Sequence, residues 1–187
     1  MKSFLFLLCT FLSIAIYGQS SFERKGFFLG SAFGAGVLTL SSSLIGENTQ
    51  TGATFPNLKA GTMVSENTAA VLLLPGTVYA FKWGEEERAR GFEGFFPSVQ
   101  HWVADRWWIL GGAGLGMDAP AFYDIKDKAD RKFYFGPAAV AGTGFEIFRK
   151  GPFALDLQGR VHYARINAPE GKREGLAFNF MVGVTWY

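Results

Sequence analysis

Hydrophobic and polar residues alternate with a period of two over long stretches of the chain. In 175–187 the apolar positions are Phe178, Phe180, Val182, Val184 and Trp186, and the residues between them are small or polar. In 152–166 one face carries Phe153, Leu155, Leu157, Val161 and Tyr163, while the other carries Asp156, Gln158, Arg160 and His162. Such alternation predicts β-strands with one apolar face.

The same pattern predicts eight strands, at 26–40, 54–65, 69–83, 90–104, 107–118, 132–149, 152–166 and 175–187. Tight connections are expected at 66–68, 105–106 and 150–151, and longer ones at 41–53, 84–89, 119–131 and 167–174. Long strands in even number, with tight turns at one end and longer loops at the other, are typical of a membrane barrel. We therefore predict an all-β fold, an eight-stranded antiparallel up-and-down transmembrane β-barrel.

Residues 1–18 have the organisation of a secretory signal. Lys2 supplies the positive charge, 4–17 are uncharged and almost all apolar, and small Gly18 follows. A single membrane anchor is the alternative, but this stretch is shorter than the roughly 20 residues of a spanning helix. We expect 1–18 to be a cleaved signal peptide and 19–187 to form the barrel domain. The only cysteine, Cys9, lies in the signal, so disulfides are not expected in the mature chain.

The composition changes the picture in two ways. Aromatic residues make up 17% of the chain, and they concentrate near the ends of the predicted strands, as the two girdles of a membrane barrel do. The aromatic side chains that we assign to the membrane interfaces are Trp83, Trp102, Trp107, Trp108, Trp186 and Tyr187. A formal net charge of +2 argues against nucleic acid as a partner.

With its signal, its eight alternating segments and its aromatic last strand FNFMVGVTWY, the chain resembles the small eight-stranded outer-membrane β-barrels of the OmpX and OmpA-transmembrane type. The resemblance implies a location in the cell outer membrane of a Gram-negative bacterium, contact with outer-membrane lipid, and recognition of the last strand by the barrel assembly machinery. The junction of Gly18 with Gln19 is similar to those of Bacteroidota. In this family the final aromatic residue shares the lipid-facing phase, whereas here Trp186 does so and Tyr187 lies one residue beyond.

An eight-stranded barrel is wide enough only to be filled by its own side chains. The polar residues expected to point inward are Lys59, Gln100, Glu146, Asp156, Gln158, Arg160 and His162. We predict that they form a plug of ion pairs and hydrogen bonds. The alternative is a proton-linked or ligand site that involves Asp156, Arg160 and His162.

Enzymatic chemistry finds little support in the sequence. A barrel that transfers or removes acyl groups needs a serine nucleophile, a histidine base and an acidic partner. His162 with Ser98 and Glu93 is the candidate set, but His162 lacks the His-x-Ser pattern of lipid A deacylase barrels, and His101 is expected on the lipid-facing side. We predict no catalytic residue.

Two other patterns do not support a cofactor or a metal. The glycines of 111–116 lie within a predicted strand, so no helix offers its amino terminus to a phosphate. Asp118, Asp124, Asp127 and Asp130 alternate with lysines and do not have calcium-loop spacing. The charge run 85–90 is expected to be a solvated loop.

The remaining feature is a set of small residues. They are Gly30, Gly34, Gly36, Pro137, Ala138, Ala139, Ala141, Gly142 and Gly144. They form either a flat wall for a partner or the space that bulky lumen side chains need. We predict a non-enzymatic structural or accessory subunit, in contact with other outer-membrane proteins of an envelope assembly, secretion or transport complex. The alternatives are a small lipid-modifying enzyme and surface adhesion through loops, where Phe122, Tyr123 and Ile125 are apolar.

Overall fold

The computed structural model describes residues 23–42, 46–54, 57–83, 86–121, 132–168 and 171–187, without the side chains of 81–83 and 86–87. The predicted signal at 1–18 lies outside these ranges and stays a prediction. Within them, no helix is long and apolar enough to cross a membrane.

The described part of the chain is almost entirely β-strand, because its alternating segments bury one face inside the fold and leave the other on the outer surface. In chain order the strands are β1 (Phe27–Ser42), β2 (Gly46–Thr54), β3 (Leu58–Ser65), β4 (Thr68–Leu74), β5 (Gly76–Trp83), β6 (Glu86–Trp102), β7 (Trp107–Pro120), β8 (Tyr134–Lys150), β9 (Phe153–Ala168) and β10 (Gly171–Trp186).

These ten segments occupy eight positions around a closed ring. Both β2 and β3 pair with β1, and both β4 and β5 pair with β6, so two positions are each built from two segments. All pairs are antiparallel, and β10 pairs with β1 to close the ring. The predicted eight-stranded up-and-down barrel is therefore confirmed.

The strands tilt steeply against the barrel axis. Successive paired residues lead from Gly36 once around the ring to Met63, whose N–H donates to the Gly26 carbonyl. The path around the ring therefore starts at Gly36 and ends at Gly26, which is ten residues earlier in the chain. With strands about 4.8 Å apart and a rise of about 3.3 Å per residue, this stagger corresponds to a tilt of about 40°. Such a barrel has an interior that side chains can fill completely.

The predicted connection lengths are wrong at three of the four upper loops, where the upper end is the one opposite the tight turns. The predicted 41–53 connection contains β2, and the strands that flank 84–89 and 167–174 continue to Trp83, Glu86, Ala168 and Gly171. Only the connection that includes 122–133 is long. The reason is that the apolar alternation ends with the membrane, whereas main-chain pairing continues into polar residues above it.

The distribution of apolar side chains is that of a membrane barrel. Large apolar residues lie exposed on the outer surface, among them Phe27, Phe33, Phe95, Phe178, Phe180 and Val99. At the upper end the outer surface becomes polar, with an ion pair between Arg165 and Glu174 at 2.9 Å. A belt of apolar side chains that ends in a polar rim fits a lipid bilayer.

Candidate functional site

The lumen is filled by polar side chains at three levels, each organised around one carboxylate. The structure places all seven predicted lumen residues inside, each at most 5% exposed: Lys59, Gln100, Glu146, Asp156, Gln158, Arg160 and His162. They do not form one network. Glu146 belongs to a cluster at the lower end, where the tight turns lie, and Asp156 to a cluster in the middle.

The lower cluster ties both ends of the described chain to the barrel. Arg24 donates to the Glu146 carboxylate at 2.9 Å, and its guanidinium lies 4.6 Å from the ring centroid of Trp102. The Trp102 indole N–H and the Tyr187 hydroxyl both donate to Glu146 Oε1, at 3.0 and 2.9 Å. Burial raises the pKa of Tyr187, and the Glu146 charge adds to the shift. Tyr187 therefore stays protonated as a donor.

The middle cluster joins β3 to β9 across the lumen. Lys59 lies 3.8 Å from Asp156 and 5.3 Å from the ring centroid of Trp108. Gln158 donates to Asp156 at 2.6 Å, and Arg160 donates to Gln158 at 2.7 Å and to Asn57 at 3.0 Å. Asp156 is the only carboxylate in this cluster, and Lys59 and Arg160 are its two basic side chains.

The upper cluster was not predicted from the sequence. Asp118 accepts hydrogen bonds from Tyr79 at 2.6 Å, from Arg90 at 2.5 Å and from Arg173. Arg90 also donates to the Lys132 carbonyl at 3.0 Å, at the base of the long connection. The predictions of a solvated charge run at Arg90 and of a loop at 173 are wrong, because both arginines are buried and neutralise the Asp118 carboxylate.

The sequence contained an indication that Asp118 points into the lumen. Asp118 has the same phase as Gly112, Gly114 and Gly116, whose small size makes room in the lumen. Of the other aspartates considered for a metal, Asp124, Asp127 and Asp130 lie outside the described residues. In the described ranges, no three His, Cys, Asp or Glu side chains come together as metal ligands.

His162 is enclosed by aromatic rings. It stacks on Phe92 with ring centroids 5.1 Å apart, and Phe96 approaches edge-on at 6.3 Å. Neither ring nitrogen makes a hydrogen bond to a side chain of the described residues. The Ser98 hydroxyl donates to the Phe96 carbonyl at 3.0 Å. A serine activated by this histidine would require a Ser98–His162 hydrogen bond, and the structure has none among the residues it describes.

The predicted interface aromatics divide between the two sides of the wall. Trp107 and Trp186 are exposed on the outer surface, as the interface assignment requires. Trp102 and Trp108 are instead buried in the lumen, and Tyr187 turns in toward Glu146, which corrects the assignment for all three. Adjacent residues of a strand point to opposite faces, so Trp107 and Trp108 cannot share a girdle. The Trp83 side chain lies outside the described part.

The predicted small-residue wall also divides. Gly30, Gly34, Gly36, Ala138, Gly142 and Gly144 lie in the inward phase. A β-carbon at Gly36 would collide with Asn179, and one at Gly144 with Trp108, so these glycines make space for lumen side chains. Of the predicted wall, only Pro137, Ala139 and Ala141 face outward.

A different set of small residues forms a shallow area on the outer surface. This small-residue patch consists of Gly111, Ala113, Ala139, Ala141 and Gly159 on β7, β8 and β9. A β-carbon at Gly111 or Gly159 would contact nothing within 4 Å. An open groove of about 710 Å³ overlaps one side of the patch, with Ala141, Gly159, Phe178 and Phe180 among its lining residues.

Comparison with solved structures finds the same fold. The crystal structure of Neisserial surface protein A has 16% sequence identity and a TM-score of 0.58, and the match covers 86% of this chain and 96% of that one. The attachment invasion locus protein Ail of Yersinia pestis has 11% identity and a TM-score of 0.56, with coverage of 87% and 100%. No protein-family model and no curated protein sequence matches. The fold is that of small outer-membrane β-barrels, and with its apolar outer belt it places the chain in an outer membrane.

Proposed function

We propose that this protein is a non-enzymatic outer-membrane barrel that acts as a structural or accessory subunit of a larger envelope complex. The observation that carries the proposal is the filled lumen. Charged clusters around Glu146, Asp156 and Asp118 occupy the interior at three levels, each held by direct ion pairs. A barrel without an open channel acts through its outer wall and its rims.

The outer wall offers a surface that suits protein contacts within a membrane. Apolar burial gives no advantage there over contact with lipid, so close packing of small residues drives association. The small-residue patch meets this condition, because Gly111 and Gly159 leave the backbone uncovered. This patch is therefore the expected site of contact with another membrane protein.

The proposal is tested by the size of the complex in native membranes. A Gly111→Leu/Gly159→Leu variant adds two bulky side chains where the isolated barrel has room for them. We expect it to fold normally, judged by heat-dependent migration on a denaturing gel, and to lose the high-mass band on a native gel. Ala70→Leu, an exposed position on β4, is the matched control and should keep the band. A wild-type barrel that migrates only as a monomer after mild solubilisation would contradict the subunit role.

The alternatives have weaker support. A lipid-modifying enzyme would need a base, but His162 makes no hydrogen bond to Ser98. Adhesion is favoured by the polar rim with the Arg165–Glu174 pair and by the long connection, whose Phe122, Tyr123 and Ile125 lie outside the described residues. A source in Bacteroidota stays a prediction from the Gly18–Gln19 junction.

A further inference from the structure

The barrel closes where its first strand, β1, pairs with its last strand, β10. This closing seam runs from Leu29 opposite Trp186 to Ser42 opposite Arg173. Because side chains alternate between the two faces of a strand, the apolar pattern determines which residues point inward. A displacement of β1 along β10 by two residues would keep every side chain on its own face. The pattern therefore does not determine the register of the closing seam.

The residues at the closing seam tolerate such a displacement. Four successive inward positions of β1, at 30, 32, 34 and 36, are glycine or alanine. Gly34 approaches the main chain at Met181 so closely that a β-carbon would not fit, and a shift of two residues toward the lower end brings another glycine, Gly36, to the same place. On the outer face, Phe33 would leave Val182 and meet the next apolar residue of the same phase. Packing at the closing seam thus distinguishes the registers weakly.

Two buried ion pairs join the β1 side of the closing seam to the β10 side. Arg24, which precedes β1, lies 2.9 Å from Glu146 of β8. Lys59, which pairs with Gly30 of β1, lies 3.8 Å from Asp156 of β9. A shift of two residues displaces one side against the other by about 6.6 Å, since a strand rises about 3.3 Å per residue. Neither ion pair can form across the added distance.

The last residue of the chain fixes the position of the Glu146 carboxylate relative to β10. Tyr187 directly follows β10, its N–H donates to the Pro152 carbonyl at 2.8 Å, and its hydroxyl donates to Glu146 Oε1 at 2.9 Å. Its ring also lies 5.4 Å from that of Phe28 on β1. The inward phase of Tyr187 therefore has a structural use: it holds the acceptor to which Arg24 binds on the other side of the closing seam.

The energetics of buried ion pairs suit the selection of a register. An intact buried pair adds little stability over apolar residues of similar volume, but its separation leaves two buried charges without partners at a large cost. A shifted register would separate both pairs together and would also break the hydrogen bond of 3.0 Å from Arg160 to Asn57. Single polar positions fix the register of coiled coils in the same way.

We propose that the two buried ion pairs across the lumen select the register in which β1 closes on β10. The register of the closing seam determines the stagger of the ring and, with it, the strand tilt and the width of the lumen. The lumen charges thus specify one closed barrel among several that the apolar pattern allows. This inference goes beyond the proposed function, because it concerns the closure of the barrel and holds whether or not a partner subunit binds.

Disulfides between β1 and β10 report the register directly. The only native cysteine, Cys9, lies in the predicted signal, so each variant carries one engineered pair. Ser31→Cys/Val184→Cys reports the native register, in which the two residues are directly opposite. Leu29→Cys/Val184→Cys and Phe33→Cys/Val184→Cys report a shift of two in either direction. In the native register these two pairs are diagonal, with Cα atoms about 7–8 Å apart, which exceeds the about 4.4–6.8 Å of a disulfide.

Each reporter pair is placed in the wild type, in two variants with neutral lumen pairs, in their combination, and in a control. The neutral variants are Arg24→Met/Glu146→Gln and Lys59→Met/Asp156→Asn, whose amides keep an acceptor oxygen. The matched control, Arg165→Met/Glu174→Gln, removes an exposed ion pair that lies on the β10 side alone. Full-length chains are oxidised in the outer membrane, and the disulfide fraction is read on denaturing gels with and without reductant. Only material with heat-dependent migration is counted, so a lower folding yield does not alter the result.

In the wild type and the control, only the Ser31/Val184 reporter should form a disulfide. In both neutral variants we expect a shifted reporter to form its disulfide about tenfold more often than in the wild type, and in the combined variant more often still. Folded barrels of both neutral variants that form only the native disulfide would overturn the proposal. A control that shifts as much as the neutral variants would also overturn it, because any lost ion pair would then have the same effect.

Discussion

The guanidinium of Arg24 lies 2.9 Å from the carboxylate of Glu146, and both side chains are almost fully buried. Arg24 precedes β1, and Glu146 lies on β8 across the lumen. The pair therefore fixes the segment that enters the barrel to the opposite wall. Since Trp102 and Tyr187 donate to the same carboxylate, Glu146 connects four parts of the chain that are distant in sequence.

Loss of this carboxylate should destabilise the barrel strongly. Glu146→Ala leaves the Arg24 charge buried without its partner, which costs about 3–5 kcal/mol. The free energy of unfolding in urea, followed by tryptophan fluorescence in lipid vesicles, measures the loss. Glu23→Ala removes an exposed carboxylate that pairs with Lys25 and should cost less than about 1 kcal/mol. Equal losses in the two variants would contradict the role given to Glu146.

Tyr187 should make stability depend on alkaline pH. Its pKa is raised in the folded state, mainly by burial and then by the Glu146 charge, so folding favours the protonated phenol. This contribution is complete below the ordinary tyrosine pKa of about 10 and is lost as the pH rises above it. The unfolding free energy of the wild type should therefore fall more steeply between about pH 10 and 12 than that of Tyr187→Phe. Parallel curves would show that Tyr187 does not contribute.

Tryptophan quenching tests which indoles face lipid. Phospholipids brominated near the headgroup should quench the exposed Trp107 and Trp186, because bromine quenches only at close range. The buried Trp102 and Trp108 should be protected. A Trp83→Phe/Trp107→Phe/Trp186→Phe variant, which keeps only Trp102 and Trp108, is expected to lose most of the quenching. Undiminished quenching in this variant would mean that the lumen tryptophans contact lipid.

The fold could be predicted from the sequence because lipid requires a regular apolar period. The same reasoning missed β2, since a strand without lipid-facing apolar residues has no such period. The prediction for Trp102 is wrong because it used only the position of this residue near a strand end. Trp102 lies two residues from Gln100 and therefore shares its inward phase. The contact of Asp118 with Arg173 could not be predicted, because β7 and β10 are not neighbours and their side chains meet only across the closed lumen.

Two glycines of the wall should respond differently to substitution. At Gly144 a β-carbon would collide with the Trp108 indole, so Gly144→Ala overpacks the lumen and should cost about 1–3 kcal/mol. At Gly159 a β-carbon meets nothing within 4 Å, and Gly159→Ala should leave stability nearly unchanged. Urea unfolding of the two variants in parallel provides the measurement. If Gly159→Ala were the more damaging change, the inward phase of Gly144 would be wrong.

Substitution of His162 distinguishes a structural role of this residue from a catalytic one. Its ring stacks on Phe92, and neither nitrogen makes a hydrogen bond to a described side chain, so the buried polar atoms are poorly compensated for their desolvation. Replacement by an apolar ring of similar shape removes that cost, and His162→Phe should be neutral or stabilising by about 1 kcal/mol. The lipid A and phospholipid profiles of cells that carry this variant should match those of the wild type. A changed profile together with unchanged stability would instead identify His162 as a catalytic base and overturn the non-enzymatic proposal.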